Sequence, residues 1–444
     1  MPVIYRLDYY IIAIKHSVWR KESLIVKLTL EDIDLFDPET QENWFPAYET
    51  LLDESPVYQI PGTTVYVVCK YDDILGVVND PATFSNQPEL HGGEPLIEHE
   101  EARQYYIDHG LGKETGRTRW PLLGMDPPDH KKYRKLIDKH MLSKSVLRRT
   151  EPYIKEVVDE LIDGFADSGQ IEFVRDFATP LPVTIITAMI GFPLEDMPQL
   201  KIWSTMWTLP FARGLTLEQE MEVARAGVEF QDYIKETADA RRKNPKDDII
   251  THLVQARYDD TRPLTDHEIA SIVDNMYVGG NETTTFTLTS GMWLMLRDSS
   301  IHKELKADSS KIPKFVDEAL RLESPTQGLY RVATLDTEIG GVSIPKGSTI
   351  HIRYGAANRD PDIFACPAEL DLERENSHRH LSFSQGEHGC PGAPLSKLEQ
   401  VIAYEHLISR LPNLRLTPGK NTFEHHSGFV LRGIKELHLS FDVT

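Results

Sequence analysis

Apolar positions recur with helical spacing along much of the chain. The spacing predicts amphipathic helices over residues 153–165 and 217–241, a long helix over 267–296 and another over 393–408. Short runs of β-branched and aromatic residues predict strands at 57–60 and 64–68, with a turn between them, and two further strands within 342–350. Residues 85–124 have weak periodicity and predict a surface loop. The chain is therefore predicted to be mainly α with small β sheets.

Composition narrows the class of protein. The 444 residues are 40% hydrophobic and 26% charged, which is enough apolar material for a large core. The net charge of −21 argues against a nucleic-acid-binding protein. Three cysteines lie far apart with no paired spacing, as is typical of a reducing, cytoplasmic compartment.

The N-terminal segment predicts neither a membrane span nor a signal peptide. Residues 9–14 are apolar but too few to cross a bilayer. No small-residue cleavage site follows them. We therefore expect no membrane association.

One short segment, residues 383–392, carries the strongest chemical signal. Its glycines at 386, 389 and 392 allow sharp turns and a close approach to a ligand. Cys390 lies just before a predicted helix whose unpaired N–H groups favour negative charge, so we expect a thiolate there. A thiolate is a nucleophile or a metal ligand, whereas the alternative is a buried structural thiol.

The predicted long helix contains Gly279 and Gly280, followed by Glu282 and Thr283. Glycine inside a helix costs about 1 kcal/mol relative to alanine, so two in succession require a reason. Without side chains they let the helix axis pass close to a ligand. The alternative is a kinked helix with a solvated glutamate.

The cysteine segment resembles the haem-binding signature of the cytochrome P450 family. Phe383, Gly386, His388, Cys390 and Gly392 occupy its fixed positions. Two positions depart from it, because Ser384 replaces the usual glycine and Lys397 replaces the usual arginine. The resemblance begins near residue 35 and continues to the end in the family's order.

The resemblance implies haem b as cofactor, buried between the long helix and the helix after the cysteine. Cys390 would be the axial iron ligand, and Gly279 and Gly280 would lie beside the haem. Thr283 would hydrogen-bond dioxygen while Glu282 relays protons. Four residues would contact the haem propionates: His130, Arg134, Arg331 and His388. For His130 and Arg134, the alternative is a solvated basic helix start.

Further residues follow from the same resemblance. Glu318, Arg321 and Arg374 would form a structural ion network that holds the cysteine loop. The substrate pocket is expected to include six residues: Trp207, Met276, Thr326, Gly328, Leu329 and Phe429. The chain would comprise an N-terminal extension at residues 1–30 and one P450 haem domain at 31–444.

The implied activity is insertion of one oxygen atom of O₂ into a hydrophobic small organic substrate, by hydroxylation or dealkylation. Electrons would come from NAD(P)H through a separate reductase and ferredoxin. An acidic ferredoxin would dock on a basic segment, near four lysines: Lys131, Lys132, Lys135 and Lys139. The alternative for this segment is a solvated charged face. The alternatives are a peroxide-driven peroxygenase and a non-catalytic haem sensor, and Glu282 with Thr283 argues against both.

Overall fold

The computed structural model describes residues 28–87, 96–111, 122–141, 143–212, 214–426 and 428–443, without the side chains of 139–141 and 212. Helices account for most of this part of the chain. In chain order the α-helices are α1 (Pro38–Glu42), α2 (Phe45–Glu54), α3 (Tyr71–Asn79), α4 (Glu100–Asp108), α5 (Asp129–Met141), α6 (Lys144–Asp163), α7 (Pro180–Ile190), α8 (Met197–Thr208), α9 (Leu217–Lys243), α10 (Ile249–Gln255), α11 (Asp266–Arg297), α12 (Ser299–Ala307), α13 (Ile312–Leu322), α14 (Tyr354–Ala357) and α15 (Ala393–Arg410).

The strands of the described residues are short and belong to four small sheets. They are β1 (Val57–Gln59), β2 (Val65–Val68), β3 (Phe84–Ser85), β4 (Gln170–Glu172), β5 (Arg257–Tyr258), β6 (Arg262–Pro263), β7 (Leu329–Ala333), β8 (Thr337–Ile339), β9 (Val342–Ile344), β10 (Thr349–Ile352), β11 (Arg415–Leu416) and β12 (His438–Ser440). The largest sheet has the order β1-β2-β10-β7-β3, and β10 runs parallel to β2 but antiparallel to β7. The mainly α prediction with small β sheets is confirmed.

Helix α11 is the central element of the fold. A capping box starts it, in which the Thr265 side chain accepts from the Glu268 backbone and Glu268 caps Thr265 in return. It is buried along most of its 32 residues and packs against α7, α8, α9, α13 and α15. Because it is apolar on several faces rather than one, it passes through the core instead of lying on its surface.

One local prediction differs from the structure, and another is confirmed. The segment 85–124 was predicted as a surface loop, yet α4 forms within it, and Ala102 and Tyr106 are buried against α9. The two strands predicted within 342–350 do form, but β9 pairs with β8 while β10 joins the large sheet. Among the described residues, no helix has both the length and the apolar character needed to cross a bilayer.

Candidate active site

A cavity of about 280 Å³ lies between the middle of α11 and the loop that precedes α15. Many of the residues that line it are apolar or aromatic. The predicted site residues on its wall are His130, Arg134, Trp207, Met276, Gly279, Gly280, Glu282, Thr283, Thr326, Leu329, Phe383, His388, Cys390 and Gly392. The fold therefore brings to one cavity residues that are distant in the sequence.

Cys390 lies two residues before the N-cap of α15, at the bottom of this cavity. Its backbone N–H donates to the Phe383 carbonyl at 2.8 Å, which closes the loop. The N–H groups of Gly392 and Ala393 lower the pKa of the thiol, but burial has the larger effect and raises it. The expected thiolate is therefore not stabilised by the helix start alone. Cys390 lines the cavity and is accessible there.

Gly386 and Gly392 shape the loop in different ways. Gly386 has φ +72°, and a Cβ there would lie 2.9 Å from the Val78 carbonyl oxygen on α3. Its role is thus a tight turn against α3, and it is not among the residues that line the cavity. Gly392 does line the cavity and is the N-cap of α15.

The two glycines of α11 face different surroundings. A Cβ at Gly279 would meet no atom within 4 Å, so this position opens into the cavity. A Cβ at Gly280 would lie 3.1 Å from Ile186 of α7, so this glycine also lets the two helices pack closely. Only Gly279 leaves the helix surface bare toward a ligand.

Thr283 and Glu282 lie on the α11 side of the cavity, across from the cysteine loop. The Thr283 hydroxyl donates to the Gly279 carbonyl at 2.8 Å, which is the common back-bond of threonine in a helix. Glu282 is buried and forms an ion pair with Lys201 of α8, and the Thr205 hydroxyl donates to the same carboxylate at 3.2 Å. Glu282 is thus held by α8, whose Lys201 side chain is 28% exposed.

A basic wall borders the cavity on the α5 side. The rings of His130 and His388 stack with centroids 3.9 Å apart. Burial lowers the pKa of both imidazoles, and that of His388 falls to about 2. His130 Nδ1 and His388 Nε2 are buried and have no hydrogen-bond partner within the described part of the chain. Arg134 donates to the Gly389 carbonyl at 2.7 Å, which ties α5 to the loop.

Arg331 on β7 is 3% exposed and lies behind the cavity wall, next to Tyr354. It donates to the Tyr330 carbonyl at 2.7 Å but forms no ion pair with any described residue. Burial lowers the pKa of its guanidinium. A buried, unpaired guanidinium is costly, so this position fits an anionic ligand group.

The structure also brings together Glu318, Arg321 and Arg374. The Arg321 guanidinium donates twice to the Glu318 carboxylate, at 2.7 and 2.9 Å, and both side chains are fully buried. Arg374 Nε lies 3.0 Å from Glu318 Oε1. Both arginines also donate to carbonyl groups of residues 365–369, so the trio ties α13 to the segment that leads into the cysteine loop.

Two predicted pocket residues do not line the cavity. Gly328 packs against His351 and the Ile352 carbonyl, where a Cβ would lie 2.2 Å from the carbonyl oxygen. Phe429 belongs to the core around Trp44 and Arg353. The neighbouring Val430 and Leu431 line the wall instead.

Two residues that contact the site could not be identified from the sequence. Lys201 is 81 positions from its partner Glu282, and neither local spacing nor composition distinguishes it from other surface lysines. Ser204 is similar, because its hydroxyl meets the Asn281 side chain on α11 at about 3 Å. Only the packing of α8 against α11 identifies both residues.

The comparisons with known proteins agree with this geometry. The family model for cytochrome P450 matches residues 98–436. A curated relative, Cytochrome P450 109 of Bacillus spizizenii, is 34% identical over 372 residues, which cover 82% of this chain and 84% of the relative. The chain belongs to the cytochrome P450 family.

Two solved structures illustrate the likeness of fold. P450BioI in complex with hexadec-9Z-enoic acid ligated acyl carrier protein has a TM-score of 0.81 at 29% identity, with coverage of 91% of this chain and 99% of that chain. CYP109E1 from Bacillus megaterium in complex with testosterone has a TM-score of 0.79 at 27% identity, with 92% and 100% coverage. Residues 1–27 lie outside the described residues, so the predicted extension and domain bounds stay predictions.

Membership of the family identifies the chain as a haem-dependent oxidoreductase of the monooxygenase type. The cavity fits haem on its own evidence. One thiol faces it from the loop, and a bare helix surface at Gly279 faces it from α11. His130 and His388 each leave a buried ring nitrogen unpartnered, and Arg331 has no ion pair in the described chain, as the carboxylates of haem require.

Proposed function

We propose that the chain is a monooxygenase that takes electrons from a separate ferredoxin and acts on a hydrophobic small molecule. The observation that carries this proposal is that one cavity has Cys390 on one wall and Glu282 with Thr283 on the other. When bound there, haem supplies the activation of O₂ and the transfer of one oxygen atom to carbon. The protein supplies ligation, protons and orientation.

The residues around the haem site have separate proposed tasks. Cys390 Sγ holds the iron, and the Gly392 and Ala393 N–H groups hydrogen-bond the sulfur and moderate its negative charge. His130, Arg134, His388 and Arg331 hold the propionates. The Glu318 network fixes the segment before the loop. Arg134 already has two partners, the Asp138 carboxylate and the Gly389 carbonyl, so it would share its guanidinium with a propionate.

Proton delivery is assigned to α11. Thr283 Oγ1 lines the cavity and could turn from the Gly279 carbonyl to donate a hydrogen bond into it. Glu282 lies one residue away, with Lys201 partly exposed to solvent beside it. A carboxylate that exchanges between Lys201 and the cavity can carry protons inward from the surface. A peroxygenase or a sensor needs no such path.

The cavity favours an uncharged, largely apolar substrate. Away from the basic wall, its described lining includes Ile186, Trp207, Phe211, Met276 and Val430. Thr208, Asn275 and Thr326 add neutral polar groups that can orient a hydroxyl or carbonyl. Testosterone and hexadec-9Z-enoic acid, which the two solved structures contain, are suitable first probes. Binding of a probe should shift the absorption band of the haem-loaded protein, and we expect a larger shift with the uncharged steroid.

The redox partner is proposed to bind at the exposed surface of α5 and the start of α6. Two of the four predicted lysines already have partners, because Lys131 lies 2.5 Å from Glu387 and Lys132 lies 3.2 Å from Asp129. Lys135 is exposed and has no ion pair with a described residue, whereas the side chain of Lys139 lies outside the described residues. Lys144 and Arg148 are exposed nearby. The attraction would therefore depend mainly on Lys135, Lys144 and Arg148.

The proposal is tested by turnover of the reconstituted system with NAD(P)H, reductase and ferredoxin. Wild type should form product, and Thr283→Ala should retain haem but form several-fold less product per NAD(P)H, with the remaining electrons recovered as peroxide. Thr287→Ala, on the same helix and cavity wall but with a hydroxyl that donates to the Thr283 and Thr284 carbonyls, is the matched control. Equal product yield in Thr283→Ala and wild type would contradict the relay. Product formation with peroxide but none with ferredoxin would favour the peroxygenase, and no product at all would favour the sensor.

A further inference from the structure

One residue of the cysteine loop remains unexplained by the assignments above. Ser384 occupies the position where the haem-binding signature usually has glycine, and its φ is +56°. This left-handed backbone region favours glycine, because a Cβ there crowds the carbonyl group. A serine at such a position suggests that its hydroxyl has a task. Ser384 also lines the cavity.

The Ser384 hydroxyl has a specific partner on another element. The Tyr354 hydroxyl at the start of α14 donates to Ser384 Oγ at 2.9 Å. Tyr354 is 1% exposed, and burial raises the pKa of its phenol, so it stays protonated. The hydrogen of the Ser384 hydroxyl finds no acceptor among the described residues, so it is available to a ligand in the cavity.

Tyr354 also connects Ser384 to Arg331. The Tyr354 hydroxyl interacts with the Arg331 guanidinium as well as with Ser384. Arg331 has no ion pair with a described residue. The carboxylate of Asp126 acts on it electrostatically, but its oxygens accept hydrogen bonds from three other residues: Ser85, Asn86 and Gln87. Tyr354 and Ser384 therefore line one part of the cavity wall, and Arg331 lies behind it next to Tyr354.

We propose that Tyr354 and Ser384 extend the Arg331 site into a cradle for one carboxylate group of haem. The inference depends on the proposed role of Arg331. Ser384 donates its free hydroxyl hydrogen to the carboxylate. Tyr354 is a positioning residue, because its hydroxyl lies beside the Arg331 guanidinium and donates to Ser384, so it holds the serine next to the arginine. The serine thereby adds a hydrogen bond that glycine cannot supply.

The test measures the transfer of haem from the ferric holoprotein to excess apomyoglobin. Tyr354→Phe removes one oxygen atom, and Ser384→Gly removes the hydroxyl while it relaxes the backbone. A hydrogen bond to a charged group contributes enough free energy that each variant should lose haem about tenfold faster. The double variant should be no faster than the faster single variant, because the two residues act through each other.

Tyr71→Phe is the matched control. Its hydroxyl donates to the Arg379 carbonyl at 2.8 Å and meets Gln385 of the same loop at 3.5 Å, yet it does not line the cavity. Haem loss from Tyr354→Phe and Ser384→Gly at the control's rate would overturn the proposal. Ser384→Gly also covers the case in which Tyr354→Phe fails to fold.

A second measurement separates a direct role from a structural one. Wild type and variants are reconstituted with haem dimethyl ester, which has no carboxylate. The variants should then lose the ester at the wild-type rate. An equally large effect with haem and with its ester would assign the pair a structural role and overturn the proposal. The reduced carbon monoxide spectrum of the variants should still report thiolate ligation, and its loss in wild type would instead refute the proposed function.

Discussion

At the scale of single residues, the site consists of buried polar atoms that the protein itself leaves without partners. His130 Nδ1 and His388 Nε2 are examples, and Arg331 is a buried cation with no described carboxylate beside it. These residues were predicted from the resemblance to the family, which short motifs carry at His130 and His388, whereas Arg331 followed only from its place in the family's order. The sequence did not identify the contacts of Lys201 and Tyr354 or the pairing of Lys131 with Glu387, since each depends on contact between distant segments.

His351 on β10 gives a pH-dependent prediction at this scale. It is fully buried among Tyr330, Phe429 and Arg353, and neither ring nitrogen has a hydrogen bond in the described chain. Burial, with a smaller effect of Arg353, lowers its pKa well below 6.5. Below that value only the unfolded chain takes up the proton, so the folded state loses stability as pH falls.

The variant His351→Phe keeps an aromatic ring at this position and removes the titratable imidazole. Between about pH 7.5 and about pH 5.5, the free energy of unfolding in urea should fall by about 1.4 kcal/mol less in the variant than in wild type. His378→Gln, at an exposed position, is the control and should behave as wild type. Identical pH dependence in His351→Phe and wild type would show that His351 is not a buried neutral imidazole.

At the scale of elements, α11 determines both the cavity and its chemistry. Its existence and extent followed from periodicity, as did the significance of its two adjacent glycines. The different surroundings of the two glycines could not be predicted, because only the position of α7 shows that Gly280 packs on Ile186 while Gly279 faces open space. Helix α4 was missed because polar residues dominate its sequence and only Ala102 and Tyr106 are buried.

Two alanine substitutions in α11 should have opposite effects on the haem-free protein. Gly279→Ala meets no neighbour, so the higher helix propensity of alanine should raise the free energy of unfolding by up to about 1 kcal/mol. In Gly291→Ala the Cβ would lie 2.1 Å from the Tyr404 hydroxyl, so stability should fall by about 1–3 kcal/mol.

Haem uptake provides the second readout for this pair. Gly279→Ala should bind haem more weakly despite its greater stability, because the added methyl group occupies cavity space. Urea denaturation and haem titration of the two variants measure both quantities. Unimpaired haem binding in Gly279→Ala would contradict the position assigned to this face of α11.

At the scale of the whole molecule, charge is distributed unevenly. The chain carries a net charge of −21, yet basic residues concentrate on α5 and the start of α6. The prediction of a docking surface there came from the sequence, whereas the structure shows which lysines already have anionic partners. An acidic ferredoxin would be attracted to this surface over a distance comparable with the Debye length, about 10 Å at 0.1 M salt.

Neutralisation of single lysines tests this surface. Lys135→Gln should lower the rate of ferredoxin-driven reduction several-fold at low salt and less at high salt. Lys131→Gln should have a smaller effect, because Lys131 is already paired with Glu387. Stopped-flow reduction at several ionic strengths measures both. An unchanged salt dependence in Lys135→Gln would remove this residue from the docking surface.

The central claim is that Cys390 binds haem iron through its sulfur. The reduced, carbon monoxide-bound absorption spectrum of the purified protein tests it most directly, with Cys390→Ser as comparison and the exposed Cys366→Ser as control. Wild type and Cys366→Ser should show the red-shifted band of thiolate ligation, and Cys390→Ser should lack it. A wild-type protein that takes up no haem, or a Cys390→Ser variant that keeps the thiolate band, would contradict the account.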